Sequence, residues 1–312
     1  MNALILGGAG FVGSNIARHL IERGHPVTVV DGLLPRTGAR REHLAGLPVT
    51  LIDSPIEKVP NLTALVAESD LVVDAMAWTR HLLALRDPLF DCACNLTAHL
   101  HLLAQIPEGC GARFVYLGSR GQYGKAAGSV IDESTPMVPE DVQGVHKTAA
   151  DHHFRVFAKL KRLNVVSLRF PNCYGPNQPF EGEDVGLIGG FIRDALAGRT
   201  IEVFGDQSRR SVLYVGDLCE VVERLGRASF TGFAAFNLAG HDVTVKALAE
   251  RIVELTGRGA VRCAEPPAHV RAIDIGAATF SDLALARSLG PIQLSEFSAS
   301  LARTIEYFRA ST

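Results

Sequence analysis

An apolar run, Asn2-Ala3-Leu4-Ile5-Leu6, passes directly into Gly7-Gly8-Ala9-Gly10-Phe11-Val12-Gly13-Ser14, and no other feature of the chain limits its fold as strongly. The pattern predicts a short buried strand, a tight turn and a helix that together receive a dinucleotide. Gly7 permits the bend, Gly10 lets backbone approach a pyrophosphate, and Gly13 lets the helix pack closely on the sheet. Phosphates would then sit over the free N–H groups of a helix N-terminus that begins at Phe11 and Val12. A glycine triad alone is a weak signal, so its surroundings matter. Helical spacing through Ile16, Ala17, Leu20 and Ile21 stops at Gly24-His25-Pro26, and a second apolar run, Val27 to Val30, ends at Asp31. An acidic side chain there accepts hydrogen bonds from the adenosine ribose and repels a 2′-phosphate, which predicts NAD rather than NADP.

Size and composition are compatible with that reading. The 312 residues are 47% hydrophobic, enough for one large domain or two closely joined ones. A net charge of −2 provides no basic field for nucleic acid. No apolar run approaches the roughly 20 residues needed to span a bilayer, so no membrane partner is expected. The first strand begins at residue 2 with no charged leader ahead of it, and the cysteines at 92, 94, 110, 173, 219 and 263 have neither disulfide-framework nor zinc spacing. A reduced cytoplasmic setting is therefore expected. His99 with His101, and His152 with His153, lack the i,i+4 spacing and acidic companions of a metal site, and no metal is expected.

Apolar runs at Val49 to Ile52, Leu71 to Val73, Arg113 to Leu117 and Val165 to Leu168 alternate with helical patterns. That alternation predicts an α/β fold, a Rossmann-type doubly wound parallel sheet with helices on both faces. The segment Gly175 to Gly182, rich in Pro, Gly, Asn and Gln, interrupts the pattern. Shorter mixed elements follow: helices near Val185 to Ala197, Val245 to Leu255 and Leu294 to Phe308, with apolar runs at Val212 to Val215 and Phe236 to Leu238. The expected division is an NAD-binding domain over 1–170, with 212–238 returning to it, and a smaller C-terminal substrate-binding lobe over 171–312.

With these motifs in order, the chain resembles the extended short-chain dehydrogenase/reductase family of NAD-dependent nucleotide-sugar epimerases and dehydratases, over nearly its whole length. The resemblance assigns Asp53 to the adenine amine and Asn95 to a buried structural position. It places Asn172, in Arg169-Phe170-Pro171-Asn172-Cys173-Tyr174-Gly175-Pro176, against a nucleotide diphosphate, and it assigns Arg210 and Arg271 to grip that diphosphate. Two guanidinium forks suit a pyrophosphate, since each binds phosphate oxygens bidentately. Thr79, Arg80 and His81 fall in a segment that lines the substrate in relatives. A nucleotide diphosphate sugar is thus the implied ligand, and a homodimer the implied assembly.

The catalytic centre departs from the family pattern. Ser119 occupies the Ser/Thr position that hydrogen-bonds the reacting hydroxyl, but positions 120 and 121 are Arg and Gly where 4,6-dehydratases carry Asp and Glu. Sugar 4,6-dehydration is therefore disfavoured. The Tyr-x-x-x-Lys pair appears as Gln143-Gly144-Val145-His146-Lys147, so the usual base is replaced by an amide that does not titrate near neutral pH. Tyr116 falls in the strand, Tyr123, Tyr174 and Tyr214 occupy other family motifs, Tyr307 falls in the last helix, and Lys147 can still bind the nicotinamide ribose. Three readings stay open: another base, with His146 and His81 as candidates; a proton relayed by water or substrate in a slow enzyme; or binding without turnover. C4 epimerisation ranks first, because a reversible oxidation needs no second cofactor, and keto-sugar reduction ranks second.

Overall fold

The computed structural model describes residues 1–125, 130–205, 208–265 and 279–311. Its first half runs β1 (Ala3–Leu6), α1 (Phe11–Glu22), β2 (Val27–Asp31), β3 (Thr50–Asp53), α2 (Leu62–Ala67), β4 (Leu71–Asp74), α3 (His81–Arg86), α4 (Pro88–Cys92), a π-helical turn (Ala93–Thr97), α5 (Ala98–Gln105), β5 (Arg113–Leu117), β6 (Val130–Ile131), α6 (Val142–Leu160) and β7 (Asn164–Arg169). The second half runs β8 (Asn172–Tyr174), α7 (Leu187–Leu196), β9 (Thr200–Phe204), β10 (Arg209–Tyr214), α8 (Val215–Arg227), β11 (Phe233–Asn237), β12 (His241–Thr244), α9 (Val245–Thr256), β13 (Ala260–Ala264), β14 (Thr279–Phe280), α10 (Leu283–Leu289) and α11 (Phe297–Ser311).

Seven strands form one parallel sheet in the order β11-β7-β5-β4-β1-β2-β3. Their continuous apolar character follows from burial on both faces. Alternate side chains separate cleanly. Ile5, Val29, Val73, Val115 and Val166 meet α1 and α8 through Ile16, Leu20, Leu218 and Val222. Leu4, Leu6, Val72, Phe114 and Val165 meet α2, α5 and α6 through Leu62, Leu102, Phe154 and Ala158. Each large side chain so buried is worth roughly 1.5–3 kcal/mol over exposure. α1 stops where Gly24 turns left-handed at φ +79°, as its C-terminal glycine suggests. α6 starts at Asp141, whose carboxylate accepts the Gly144 N–H at 2.6 Å.

The chain leaves the large sheet at Arg169 and comes back to it. β10 pairs with β8 and β12 in a three-stranded sheet, so Val212–Tyr214 belongs there. From Val215 the chain returns: α8 packs on α1, with His19 on Glu223 at 2.9 Å and Arg23 on Glu220 at 3.1 Å, and β11 pairs with β7 at the sheet's edge. A separate core, containing Ile188, Ile192, Ile201, Val203, Leu248, Ile252, Leu301 and Ile305, joins α7, α9 and α11 to the small sheets. No helix among the described residues is long and apolar enough to cross a membrane. In the large sheet the strand order reverses between β1 and β4, and this opens a crevice beyond the carboxyl ends of the strands.

Candidate active site

A cavity of about 490 Å³ fills that crevice, reaching from Gly7 and Asp31 at the ends of β1 and β2 to Ser119 beyond β5 and Phe170 beyond β7. Its floor is the glycine turn. A Cβ on Gly13 would lie 2.3 Å from the Gly7 carbonyl oxygen, and one on Gly7, whose φ is +75°, would lie 2.9 Å from Ala75 backbone. These contacts exclude any side chain, and they bring the first N–H groups of α1 up to the cavity. Asp31 braces the turn: its carboxylate accepts the Ala9 N–H at 2.9 Å and the Leu33 N–H at 2.8 Å. Burial raises its pKa, against the pull of those two bonds. A pyrophosphate over the helix N-terminus and a ribose beside Asp31 fit this arrangement.

At the other end, Ser119 caps a 3₁₀ turn, Arg120–Tyr123, with its Oγ accepting the Gly121 N–H at 3.1 Å. Its position is held from behind. The Ser119 N–H donates to Gln122 Oε1 at 2.7 Å, and Gln122 Nε2 donates to the buried Asp151, which also receives Arg169. Gln143, on the first turn of α6, donates from Nε2 to the Trp78 carbonyl at 2.6 Å. That carbonyl also takes the Nδ2 of Asn95 at 2.8 Å; Asn95 is fully buried in the π-helical turn, as expected of it. Lys147, one helical turn beyond Gln143, donates to the Leu117 carbonyl at 2.9 Å and lies over the Tyr116 ring. Burial brings its ammonium down to about 8.

Gly7, Gly10, Phe11, Val12, Gly13, Asp31, Thr79, Arg80, His81, Ser119, Gln143, Lys147 and Asn172 all line this one cavity. Asp53 does not: it pairs with Arg41, and the neighbouring Ser54 to Glu57 line the wall instead. Arg210 is not among the lining residues either; its guanidinium donates to Ser208 Oγ at 2.9 Å and to the Arg209 carbonyl at 2.8 Å. Arg271 lies outside the described residues. No tyrosine lines the cavity among the described residues.

Sequence reasoning did not single out Asp141. Besides capping α6, it meets His81 Nδ1 at 2.6 Å. The resemblance places Arg80 at the substrate, and its guanidinium grips the carbonyls of Glu183 and Asp184 at 2.9 and 2.8 Å. The described residues also bring His19, Glu220 and Glu223 close enough to share a cation, but Arg23, His25 and Arg227 engage those carboxylates as an ion-pair network.

Fold and crevice together define a dinucleotide-binding α/β protein. Residues 3–239 match the family described as the NAD dependent epimerase/dehydratase family, and the chain belongs to it. NAD is accordingly its cofactor, and the glycine turn with Asp31 fits that molecule. The chain is 26% identical to a UDP-glucose 4-epimerase of Mycolicibacterium smegmatis, over 99% of both chains. It is 28% identical to a dTDP-glucose 4,6-dehydratase of Streptomyces antibioticus, over 99% of this chain and 92% of that one. Among solved structures, a UDP-glucose 4-epimerase of Thermus thermophilus in complex with NAD superposes with a TM-score of 0.85 at 26% identity, covering 100% of both.

Proposed function

We propose that this protein epimerises a nucleoside diphosphate hexose at C4. The observation that carries this reading is the make-up of the cavity wall. Ser119, Gln143 and Lys147 stand on it together, while the two positions where dehydration needs carboxylates hold Arg120 and Gly121, and neither lines the cavity. When bound, NAD supplies a reversible two-electron acceptor for the carbinol carbon. The chain's own residues then do the rest. Gly7, Gly10, Gly13 and the N–H groups of Phe11 and Val12 seat the pyrophosphate, Asp31 the ribose, and Lys147 the nicotinamide ribose. Ser119 Oγ already accepts from Gly121, so its own hydrogen is left to donate to the sugar oxygen at C4. The Gln143 amide orients that oxygen without taking its proton. Thr79, Arg80 and Asn172 line the same cavity and face the sugar nucleotide. Arg210 and Arg271 serve the diphosphate, which requires Arg210 to turn away from Ser208.

In this reading residues 1–170 with the return through 215–238 bind the cofactor, and the rest of 171–312, including Val212–Tyr214 in the three-stranded sheet, forms the substrate lobe. Six unpaired cysteines suit a reduced cytoplasm. Val145, Val156 and Leu160 stand exposed along one face of α6 and support a homodimer formed through that helix.

The test is incubation with a panel of UDP- and dTDP-hexoses, followed by NMR and mass spectrometry. C4 epimers of unchanged mass are expected. A product lighter by one water, or consumption of NADH with a keto-sugar, would replace epimerisation by dehydration or reduction. Tight binding with no product would make the protein a non-catalytic binder.

A further inference from the structure

We propose that His81 and Asp141 form the acid–base pair of this site, with His81 Nε2 exchanging the proton of the sugar hydroxyl that Gln143 cannot take. The proposal rests on the C4 epimerase reading.

Three histidines are locked to a carboxylate through Nδ1 in the described structure: His81 to Asp141, His146 to Asp91 and His99 to Asp74, at 2.6, 2.6 and 2.7 Å. Such a bond fixes the tautomer and aims Nε2, as in other catalytic histidines. What separates the three is access. His99 is completely buried, and His146 is 16% exposed against a fully buried Asp91; neither lines the cavity. The His81 side chain is 41% exposed, and it alone among the described histidines lines the cavity. Its Nε2 makes no hydrogen bond to a described residue.

The backbone brings this imidazole to the reacting end. Gln143 Nε2 rests on the Trp78 carbonyl, three residues before His81, and Asp141 precedes Gln143 by two. On the far side, a Cβ on Gly144 would lie 2.7 Å from the Gly121 carbonyl, and one on Gly121 would lie 3.5 Å from Ser119 Oγ. The start of α6 is thus wedged between His81 and Ser119.

Charge around His81 favours the role. Burial pulls the imidazole's pKa down, but the bond and charge of Asp141, helped by Asp184 and Asp91, raise it by more, so the net shift is upward. Asp141 is shifted the opposite way: burial raises it, but His81 and the Gly144 N–H hold it below the usual range. Asp184 accepts the Leu82 N–H and carries Arg80 on its carbonyl, and Asp91 on α4 carries His146. Outside these, Arg86 pairs with Glu183 and Arg36 with Asp87. The imidazole so held is made more basic by Asp141, which favours its accepting the hydroxyl proton.

The step balances. The hydroxyl O–H bond breaks with its electron pair left on oxygen, an N–H bond forms at Nε2, and the imidazolium faces Asp141. The oxygen's pair closes the carbonyl as the C–H bond breaks; when bound, the oxidised nicotinamide dinucleotide would supply the acceptor for that hydrogen with its electron pair and its source on return, when His81 gives its proton back. Asp141 acts through His81 and is a positioning residue.

The test uses His81→Gln, His81→Ala and Asp141→Asn in the full chain. For His81→Gln and His81→Ala, turnover should fall about 100- to 10,000-fold, with NAD affinity by calorimetry within about twofold of wild type, and added imidazole should restore part of the His81→Ala rate. Asp141→Asn keeps an oxygen to cap α6 but removes the charge. The His81 imidazole, followed by NMR without substrate, should titrate at lower pH than in wild type, and the acid limb of turnover should move down with it. Wild-type turnover and pH profile in His81→Gln would overturn the pair while leaving epimerisation intact, as would an acid limb near 8 that survives His81→Gln and points to Lys147. An unchanged His81 titration in Asp141→Asn would also overturn it. A wild type that converts no nucleotide hexose would remove both readings together.

Discussion

Two methyl groups placed three residues apart in the glycine turn should have opposite effects. In Gly13→Ala the new Cβ lies 2.3 Å from the Gly7 carbonyl oxygen and 2.7 Å from Gly8 Cα, both of them backbone atoms that cannot rotate away. Ordinary contact needs about 1 Å more room, so α1 must lift from β1. Overpacking of that kind costs about 1–3 kcal/mol or more. In Gly10→Ala the nearest atom is the same carbonyl at 3.3 Å, and the backbone there, at φ −75° and ψ 178°, suits any residue. Stability should change by less than about 1 kcal/mol, which in a chain of this size is less than about 4 °C in melting temperature. Gly10 lines the cavity, however, and its methyl would hold the pyrophosphate off the helix N-terminus. Losing one charge-assisted hydrogen bond costs about 1.5–3 kcal/mol, or roughly 10- to 100-fold in NAD affinity. Scanning calorimetry without ligand and titration calorimetry with NAD separate the two effects. Wild-type NAD affinity in Gly10→Ala would refute the phosphate cradle.

Gln143→Tyr should lower turnover rather than restore it, because His81 already supplies the base and a phenol must displace an amide that is only 3% exposed. About 1–3 kcal/mol of stability should be lost, by overpacking, while Trp78 keeps its bond from Asn95; a gain in turnover would instead mean a site that had merely lost its base. Glu223, met by Arg227, His19 and His25, is held at about 2 against an ordinary 4.5, despite the upward push of burial. A folded pKa below the unfolded one stabilises fully above pH 4.5 and loses that contribution between there and 2. At about 1.4 kcal/mol for each pH unit, this amounts to roughly 3 kcal/mol. Glu223→Gln should therefore unfold more easily in urea at pH 7, with the gap to wild type closing as pH falls toward 2; a constant gap would refute the linkage.

The sequence by itself determined whatever depends on neighbours along the chain. Strand, turn, helix and Asp31 lie within residues 3–31, and glycine spacing there reports backbone geometry directly, so β1, α1, β2 and the cofactor turn were readable without a structure. Arg113 to Leu117 was readable for a similar reason, since Phe114 to Leu117 form the continuous apolar run of a strand buried on both faces. That position 143 holds glutamine, and that 120 and 121 hold Arg and Gly, was equally plain.

Only the tertiary structure decided which side chains meet. His81 and His146 look alike in sequence, each near a plausible helix face, but their carboxylates lie 60 and 55 residues away. The chain's path over the sheet, and no local pattern, opened one of them to the cavity and closed the other. Asp53 shares a register position with Asp31 yet turns to Arg41, and Arg210 leans on Ser208. Those choices come from competition among nearby partners in three dimensions, each offering a bond of similar strength, which a linear motif does not encode.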